Sequence, residues 1–190
     1  MARQEGLSKL YYALLTKDQY GAAPTWEAPV EIPQIIEIST QDTKTTYKWY
    51  SNNAIEESGE QVDAVSVNVE LGYATTELLA TLCGNTYDPE TGAKKRKSND
   101  IQPELALLWE NTKSNGASDY RVLYRGVLSV DSKTNRTKEE SKTSANVFLT
   151  GTFVPLKSTK DIDLEISTDD TYADSELLNN FFTEGQISAI

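Results

Sequence analysis

The segment 63–84, DAVSVNVELGYATTELLATLCG, constrains the fold most, because a strand pattern is followed at once by a helix pattern. Its first half alternates apolar and polar residues up to Leu71, which is typical of a strand with one buried face. From Thr75 or Thr76, leucines recur at helical spacing up to the stop residue Gly84, which predicts a helix over about 74–83. Such a short helix needs a sheet to lie on, and the preceding strand is the nearest candidate.

Six further stretches have strand composition or alternation, namely 10–16, 35–39, 43–50, 104–110, 120–130 and 144–154. Gln41-Asp42 is expected to be a turn, and Gly126 to mark a bulge or bend. Pro155 stops the last strand, and we expect the sheet to be complete there. Together these patterns predict a mainly β fold, with sandwich-like or barrel-like antiparallel sheets, one flanking α-helix and long loops.

Several connections are too polar or too rich in proline for a core element. Residues 18–33 contain three prolines and are expected to carry Trp26 onto the surface, where an exposed tryptophan would suggest a partner. The stretch 51–61 reads as a polar loop that is longer than two strands need. Turn residues in 85–100 indicate a protruding hairpin or loop, and 132–142 is another long polar connection.

The composition changes after Leu156. Residues 161–176 contain seven acidic side chains and no basic one, so we divide the chain into a main domain over 1–156 and an acidic extension over 157–190. A short helix is expected over 176–182, capped by Asp174 or Ser175. Two alternatives stay open for this extension: a partly disordered acidic end, or an arm that docks on a neighbouring molecule through Leu177, Leu178, Phe181 and Phe182.

The residue counts argue against catalysis. The chain has no histidine, which removes the imidazole bases, the histidine-activated nucleophiles and the histidine metal sites. Its 29 Asp and Glu residues are too numerous for any carboxylate pair to be informative, and the single Cys83 is interpreted as a buried small hydrophobe. Phosphate-binding loops, paired cysteines and calcium loops are absent from the sequence. We therefore expect no enzymatic activity, no cofactor and no catalytic metal.

The charge distribution is uneven. The net charge of -11 argues against general affinity for nucleic acid, yet Lys94 to Lys97 form a concentrated basic run. We hypothesise that this run contacts an adjacent subunit through acidic stretches such as 54–61 or the extension after Asp161. No apolar run is long enough to cross a membrane, and no secretion signal is evident. The chain is therefore expected to be soluble and made in a cytoplasm, with Asn135-Arg136-Thr137 a chance glycosylation pattern.

The order of the motifs LYYALLT, IIEIST, TYKWYSNN, VSVNVELG with its leucine helix, YDPETGAKK, YRVLYRGVLS and TGTFVPL resembles that of one family. This family comprises the major tail proteins, or tail tube proteins, of bacteriophages with long non-contractile tails, particularly those from Gram-positive hosts. The resemblance covers about 6–156. It implies a β-sandwich with a flanking helix, assembled into stacked hexameric rings around the channel for genome passage.

The implied location is the virion, and the implied partners are copies of the chain itself and other tail proteins at the tube ends. DNA would pass through the lumen without specific binding, and no membrane insertion is expected. The candidate contacts between subunits are Lys94, Lys95, Arg96, Lys97, Ile55, Glu56, Glu57, Trp26, Phe181 and Phe182. The alternative is a monomeric β-sandwich binding module for a carbohydrate or a cell-surface protein, with Trp26, Tyr47 and Trp49 as exposed platform aromatics.

Overall fold

A computed structural model describes residues 3–51, 54–133 and 146–183, except for the side chains of residues 51, 54–56 and 133. Eleven strands and two short helices are found there. In chain order they are β1 (Gln4–Lys17), β2 (Thr25–Trp26), β3 (Val30–Glu31), β4 (Ile35–Ser51), β5 (Ala54–Leu71), α1 (Thr76–Cys83), β6 (Thr86–Asp88), β7 (Ala93–Lys95), β8 (Leu105–Lys113), β9 (Ser118–Lys133), β10 (Val147–Phe153), β11 (Asp163–Ser167) and α2 (Ser175–Asn179).

One antiparallel sheet organises the molecule. Its strand order is β2-β1-β8-β9-β10-β5-β4, with β11 paired to β9 and β3 paired to β1, while β6 and β7 form a separate hairpin. The sheet folds over, because β1 and β4 are far apart in this order and yet contact each other. The predicted mainly β, antiparallel fold is confirmed, and the sheet is not a closed barrel within the described residues.

The sheet has a buried layer on each face. The inner layer joins side chains of β1 and β8 to those of β5 and β10, together with α1, which makes the arrangement sandwich-like. Strand β8 shows the division directly, since Leu105 and Leu107 enter the inner layer whereas Ala106 and Leu108 enter the outer one. Burial on both faces explains why this strand is apolar along its length.

The predicted helix is confirmed as α1. The Thr75 hydroxyl accepts the Leu78 N–H at 3.1 Å, and Gly84 ends the helix with a left-handed φ of 68°. A side chain at Gly84 would also collide with the Ile101 carbonyl, so both φ and space require glycine there. The main sheet neighbour of α1 is β9 rather than the preceding strand β5. The sequence therefore predicted the helix correctly but not the strand on which it lies.

The β4–β5 hairpin corrects two predictions. Gln41 and Asp42 pair with Ser66 and Val65 inside one long strand, so the expected turn is absent. The stretch 51–61, expected to be a polar loop, belongs mostly to β5, and its residues 52–53 lie outside the described residues. The described side chains of 43–50 and 57–61 are exposed or half-buried on both faces, so these strands leave no alternation of apolar and polar residues in the sequence.

The expectation that the sheet ends at Pro155 is also wrong. Strand β11 pairs with the Asp119–Leu123 part of β9, beside the end of β10. The predicted C-terminal helix is present as α2, capped by Asp174. Strand β9 runs unbroken through Gly126, where the register against β8 shifts as expected for a bulge. The boundary near residue 156 stays a prediction, while most of the 132–142 connection and the Asn135 pattern lie outside the described residues.

Candidate assembly surfaces

The outer face of the sheet is covered on only one half. Over β1, β8 and the first half of β9, the outer layer is closed by Trp26, Leu156 and Phe181. The rings of Phe182 and Tyr11 pack at 4.6 Å between centroids, and those of Phe181 and Tyr120 at 5.2 Å. The described part of the C-terminal segment, 157–183, is therefore a cover for its own sheet.

Carboxylates hold this cover in place. Asp18 accepts hydrogen bonds from the backbone N–H groups of Lys157 at 2.8 Å and Ser158 at 3.0 Å, close to Arg125. Burial by itself raises the pKa of Asp18, but these hydrogen bonds and the Arg125 charge outweigh burial and lower the pKa overall. Arg121 pairs with Asp163 of β11 at 2.6 Å. The cover is thus fixed at its start and along its strand.

A second ionic cluster fixes the end of the cover. Lys113 Nζ lies 2.6 Å from Asp119 and 2.9 Å from Asp169. The hydrogen bonds that Lys113 donates to these two carboxylates raise the pKa of Lys113. Hydrogen bonds from Ser167 and Lys113 lower the pKa of Asp169 to about 2. The arrangement ties the β8–β9 turn to the residues that follow β11.

The other half of the outer face is bare. It comprises β4 up to Gln41, β5 from Val65 onward, β10 and the second half of β9. In these strands, side chains that point outward alternate with side chains that enter the inner layer. None of the described side chains on this bare face is basic. They include Glu37, Ser39, Gln41, Ser66, Asn68, Glu70, Val127, Ser129, Phe148, Thr150 and Thr152. A cavity of about 230 Å³ at one end adds Asp131 beside Glu37 and Glu70.

Beyond the bare face, the β4–β5 hairpin continues as a free arm, defined here by residues 43–51 and 54–64. Because β10 pairs only with Val65–Leu71, no described strand borders the arm on either side. Tyr47 covers Gly59, where a Cβ atom would collide with the phenol ring. Trp49 is 66% exposed and Tyr50 is 68% exposed. A two-stranded ribbon with unpaired edges and exposed aromatic side chains is typical of a contact surface.

The basic run occupies a different part of the molecule. The β6–β7 hairpin and α1 form an open groove of about 450 Å³ beside β9, hereafter the β9 groove. Its lining includes Leu79, Cys83, Asn85, Lys94, Arg96, Lys97, Ser129 and Val130. No described strand pairs with Val127–Lys133 on the edge opposite β10. The groove therefore combines a free strand edge with basic side chains.

Comparison with known proteins gives the family. A family model described as phage tail tube protein matches residues 35–185, which is most of the chain. The chain belongs to the phage tail tube protein family. The resemblance expected from the sequence is thereby confirmed, and the tail tube protein is a structural protein of the phage virion. No curated protein sequence matches the chain.

The predicted contact residues of this tail tube protein fall into three groups. Lys94, Arg96 and Lys97 line the β9 groove, and Lys95 is exposed at the end of β7. Glu57 is exposed on the arm, whereas the side chains of Ile55 and Glu56 are outside the described residues. Their role between subunits stays a prediction.

The aromatic candidates are placed differently from the expectation. Trp26 is only 3% exposed, and its Nε1 donates to the Tyr124 carbonyl at 3.1 Å, so the predicted surface position is wrong. Phe181 is buried and Phe182 is half-buried on their own subunit. The C-terminal extension was expected to be either a partly disordered end or an arm on a neighbouring molecule. Residues 157–183 instead pack on the sheet of their own subunit.

Sequence reasoning missed the bare face and the floor of the groove. The alternation in β5 did place Ser66, Asn68 and Glu70 on one side, which was the available signal for the bare face. Cys83, expected to be buried, is half-buried at the groove. The apolar floor carries no sequence signal, because Leu79 and Val130 are brought together by the packing of α1 on β9.

Neither helix in the described part of this tail tube protein has the length and apolar character needed to cross a membrane. The described residues also bring together no group of three or more cysteine or acidic side chains suited to hold a metal ion. The absence of enzymatic activity stays a prediction, although the family is a structural one.

Proposed function

We propose that this chain is the tube subunit of a long non-contractile phage tail, and that its copies form stacked hexameric rings around a channel for DNA during genome ejection. The observation that carries this proposal is the bare face. A polar sheet surface without basic side chains lets a polyanion slide past, because each phosphate bound by Lys or Arg would strengthen DNA binding. We assign this face to the channel.

The rest of the molecule supports the assignment. The opposite half of the outer face is closed by the C-terminal cover, and its apolar side chains are buried within the subunit. Exposed aromatic side chains cluster on the arm, where Tyr47, Trp49 and Tyr50 lie close together in sequence, and Ile101 is exposed beside the β9 groove. Contacts between copies and contacts with other tail proteins at the tube ends therefore use other surfaces than the channel face. Assembly follows synthesis in the bacterial host.

The alternative of a monomeric binding module loses one of its three platform residues. Trp26 is buried against Tyr124 and does not offer an open aromatic surface. Tyr47 and Trp49 are exposed, but they lie on a slender arm rather than in a concave pocket of the kind that encloses a small ligand.

Electron microscopy of the purified full chain tests the proposed function. The expected result is rings or tubes with a central channel, and a map in which Asn68 and Thr150 face the lumen. Monodisperse monomers at high protein concentration, in both low and high salt, would contradict the proposal. A tube whose channel is lined by Lys94 to Lys97 would contradict the assignment of the face.

A further inference from the structure

We propose that the arm of one copy docks in the β9 groove of the next copy along the tube, with the acidic β5 side of the arm against the basic rim of the groove. The proposal rests on the proposed function and deepens it, because it names the two surfaces that join successive copies. A second copy of this chain is the only occupant proposed.

The arm contacts its own subunit body at its base, where Val62 packs against the inner layer, and it projects beyond that point as an exposed ribbon. Its described side chains are exposed or half-exposed on both faces, and both of its edges are free of described strands. A two-stranded ribbon alone is marginally stable in water. An arm of this length is therefore expected to gain its order from a surface that covers the aromatic side chains and pairs one edge.

The β9 groove offers what such an arm needs. The Val127–Lys133 edge of β9 has unpaired backbone groups on its groove side in the described structure, so an added strand can hydrogen-bond there. Leu79 and Val130 supply an apolar floor. Next to the lining residue Gln102, Ile101 is 86% exposed, which provides a further apolar contact.

The charges of the two surfaces are complementary. Strand β5 within the arm contains four acidic residues, Glu56, Glu57, Glu60 and Asp63, and no basic residue. The paired β4 part carries Lys44 and Lys48, of which Lys44 lies 3.6 Å from Glu60, so the arm keeps an acidic excess. The groove rim carries Lys94, Arg96 and Lys97, with Asp100 as the acidic lining residue. Opposite charges steer two copies into one register, and identical charges disfavour groove-to-groove or arm-to-arm contact.

The register along the sheet gives the contact its direction. Ser129, which lines the groove, lies across the sheet from Thr150, and Thr150 lies across from Asn68 of β5. The arm begins on the other side of Val65, so it extends along β5 in the direction that leads away from the groove. The arm thus projects from the opposite end and does not turn back to its own groove. Nine residues from Thr43 to Ser51 extend for roughly 30 Å at strand spacing, enough to reach a neighbouring copy. A contact between two different surfaces that does not close on itself propagates along an axis.

Cross-linking provides the direct test, because Cys83 is the only cysteine and lines the groove. In the variant Glu57→Cys, a short bis-maleimide is expected to join arm to groove and to give a ladder of covalent oligomers from assembled protein. The double variant Glu57→Cys, Cys83→Ser should give at most dimers, since only arm-to-arm linkage remains. A ladder that persists without Cys83 overturns the proposal, and so does the absence of a ladder from tubes formed by Glu57→Cys.

Charge reversal gives an independent readout. Lys94→Glu, Arg96→Glu and Lys97→Glu together should raise the protein concentration needed for tube formation at low salt by about tenfold or more. The matched control reverses Lys17, Lys157 and Lys160, which lie outside the groove and produce the same net charge. Adding Glu57→Lys and Glu60→Lys to the groove variant should restore much of the assembly. Equal effects of the groove and control variants overturn the proposal.

The two proposals fail differently. If the unaltered chain forms neither rings nor tubes, the proposed function is contradicted and the docking model with it. If the unaltered chain forms tubes but neither the cross-link to Cys83 nor the charge effect is observed, only the docking model is overturned. Circular dichroism of each variant confirms that the reversed charges leave the β fold intact.

Discussion

The Asp18 carboxylate accepts the backbone N–H of Lys157 at 2.8 Å, although 139 residues separate the two in sequence. This bond fixes the point where the chain leaves the outer layer and begins the C-terminal cover. The adjacent Ser158 N–H bonds to the other carboxylate oxygen at 3.0 Å. One side chain of the loop after β1 therefore sets the path of the last part of the fold.

We expect Asp18→Ala to destabilise the subunit. The substitution leaves the partly buried N–H groups of Lys157 and Ser158 without their acceptor, and we expect a loss at the lower end of the range of about 1–3 kcal/mol that an unsatisfied buried donor costs. Urea unfolding followed by tryptophan fluorescence measures the loss. Glu5→Ala, on the exposed part of β1, is the matched control and should change the free energy of unfolding little. Equal stability of the two variants would contradict the role given to Asp18.

Stability should fall on acidification below about pH 4. The folded-state pKa values of Asp18, Asp119 and Asp169 lie below the ordinary value of 3.8, and that of Asp169 is about 2. A carboxylate with a lowered folded pKa stabilises the fold above its ordinary pKa, and this contribution is lost as pH falls through the folded value. Urea midpoints between pH 7 and pH 2 measure the effect. Asp169→Asn should weaken this dependence between about pH 4 and pH 2, and an unchanged pH profile would refute the assignment.

Gly126→Ala is expected to be strongly unfavourable. A Cβ atom at residue 126 would lie 2.5 Å from the Phe153 ring and 2.7 Å from the Thr152 carbonyl. Overpacking of this kind typically costs about 1–3 kcal/mol, because the β9–β10 pairing has to shift. Gly6→Ala is the control, since its Cβ would meet only Thr112 Oγ1 at 3.6 Å. Thermal unfolding that ranks Gly6→Ala as the more damaging variant would contradict the packing described for Phe153.

Basic residues placed on the bare face should make the channel retain DNA. In tubes formed by Asn68→Lys and Thr152→Lys, DNA is expected to bind more tightly and to be released as salt rises, because the added ammonium groups contact phosphates. Asn68→Gln and Thr152→Gln are the neutral controls. DNA binding to tubes and genome ejection from virions report the effect. If the lysine and glutamine variants behave alike, the bare face does not line the channel.

Hydrogen exchange should detect ordering on assembly in two regions, 51–61 and 85–100. The first lies mostly in the arm and the second carries the β6–β7 hairpin, and the described side chains of both are exposed or half-buried in the single subunit. We expect their amides to exchange rapidly in the free subunit and slowly in tubes. Amides of the inner layer, such as those of Val67 and Leu149, serve as the reference that stays protected in both states. Equal protection of the two regions in subunit and tube would show that neither orders on assembly.

The sequence by itself determined those elements whose signal is local. The alternation around Val67 and the capped leucine repeat from Thr75 to Gly84 report one-sided burial, and the structure confirms both. The absence of histidine and the acidic balance are likewise properties of composition, and they limit chemistry whatever the fold. Turn residues between Asp88 and Gly92 placed the basic run on a hairpin for the same local reason.

Only the tertiary structure decided where the remaining segments go. Residues 43–51 and 54–61 are strands although none of their described side chains is buried, so no periodicity reveals them, and a pairing partner makes them strands. Trp26 is buried by Tyr124, and the acidic segment is held by Asp18, Lys113 and Arg121, all distant in sequence. The β9 groove exists because α1 packs on β9 instead of β5. Local patterns record whether a side chain is buried, whereas the identity of the partner that buries it depends on long-range packing, which no short stretch of sequence encodes.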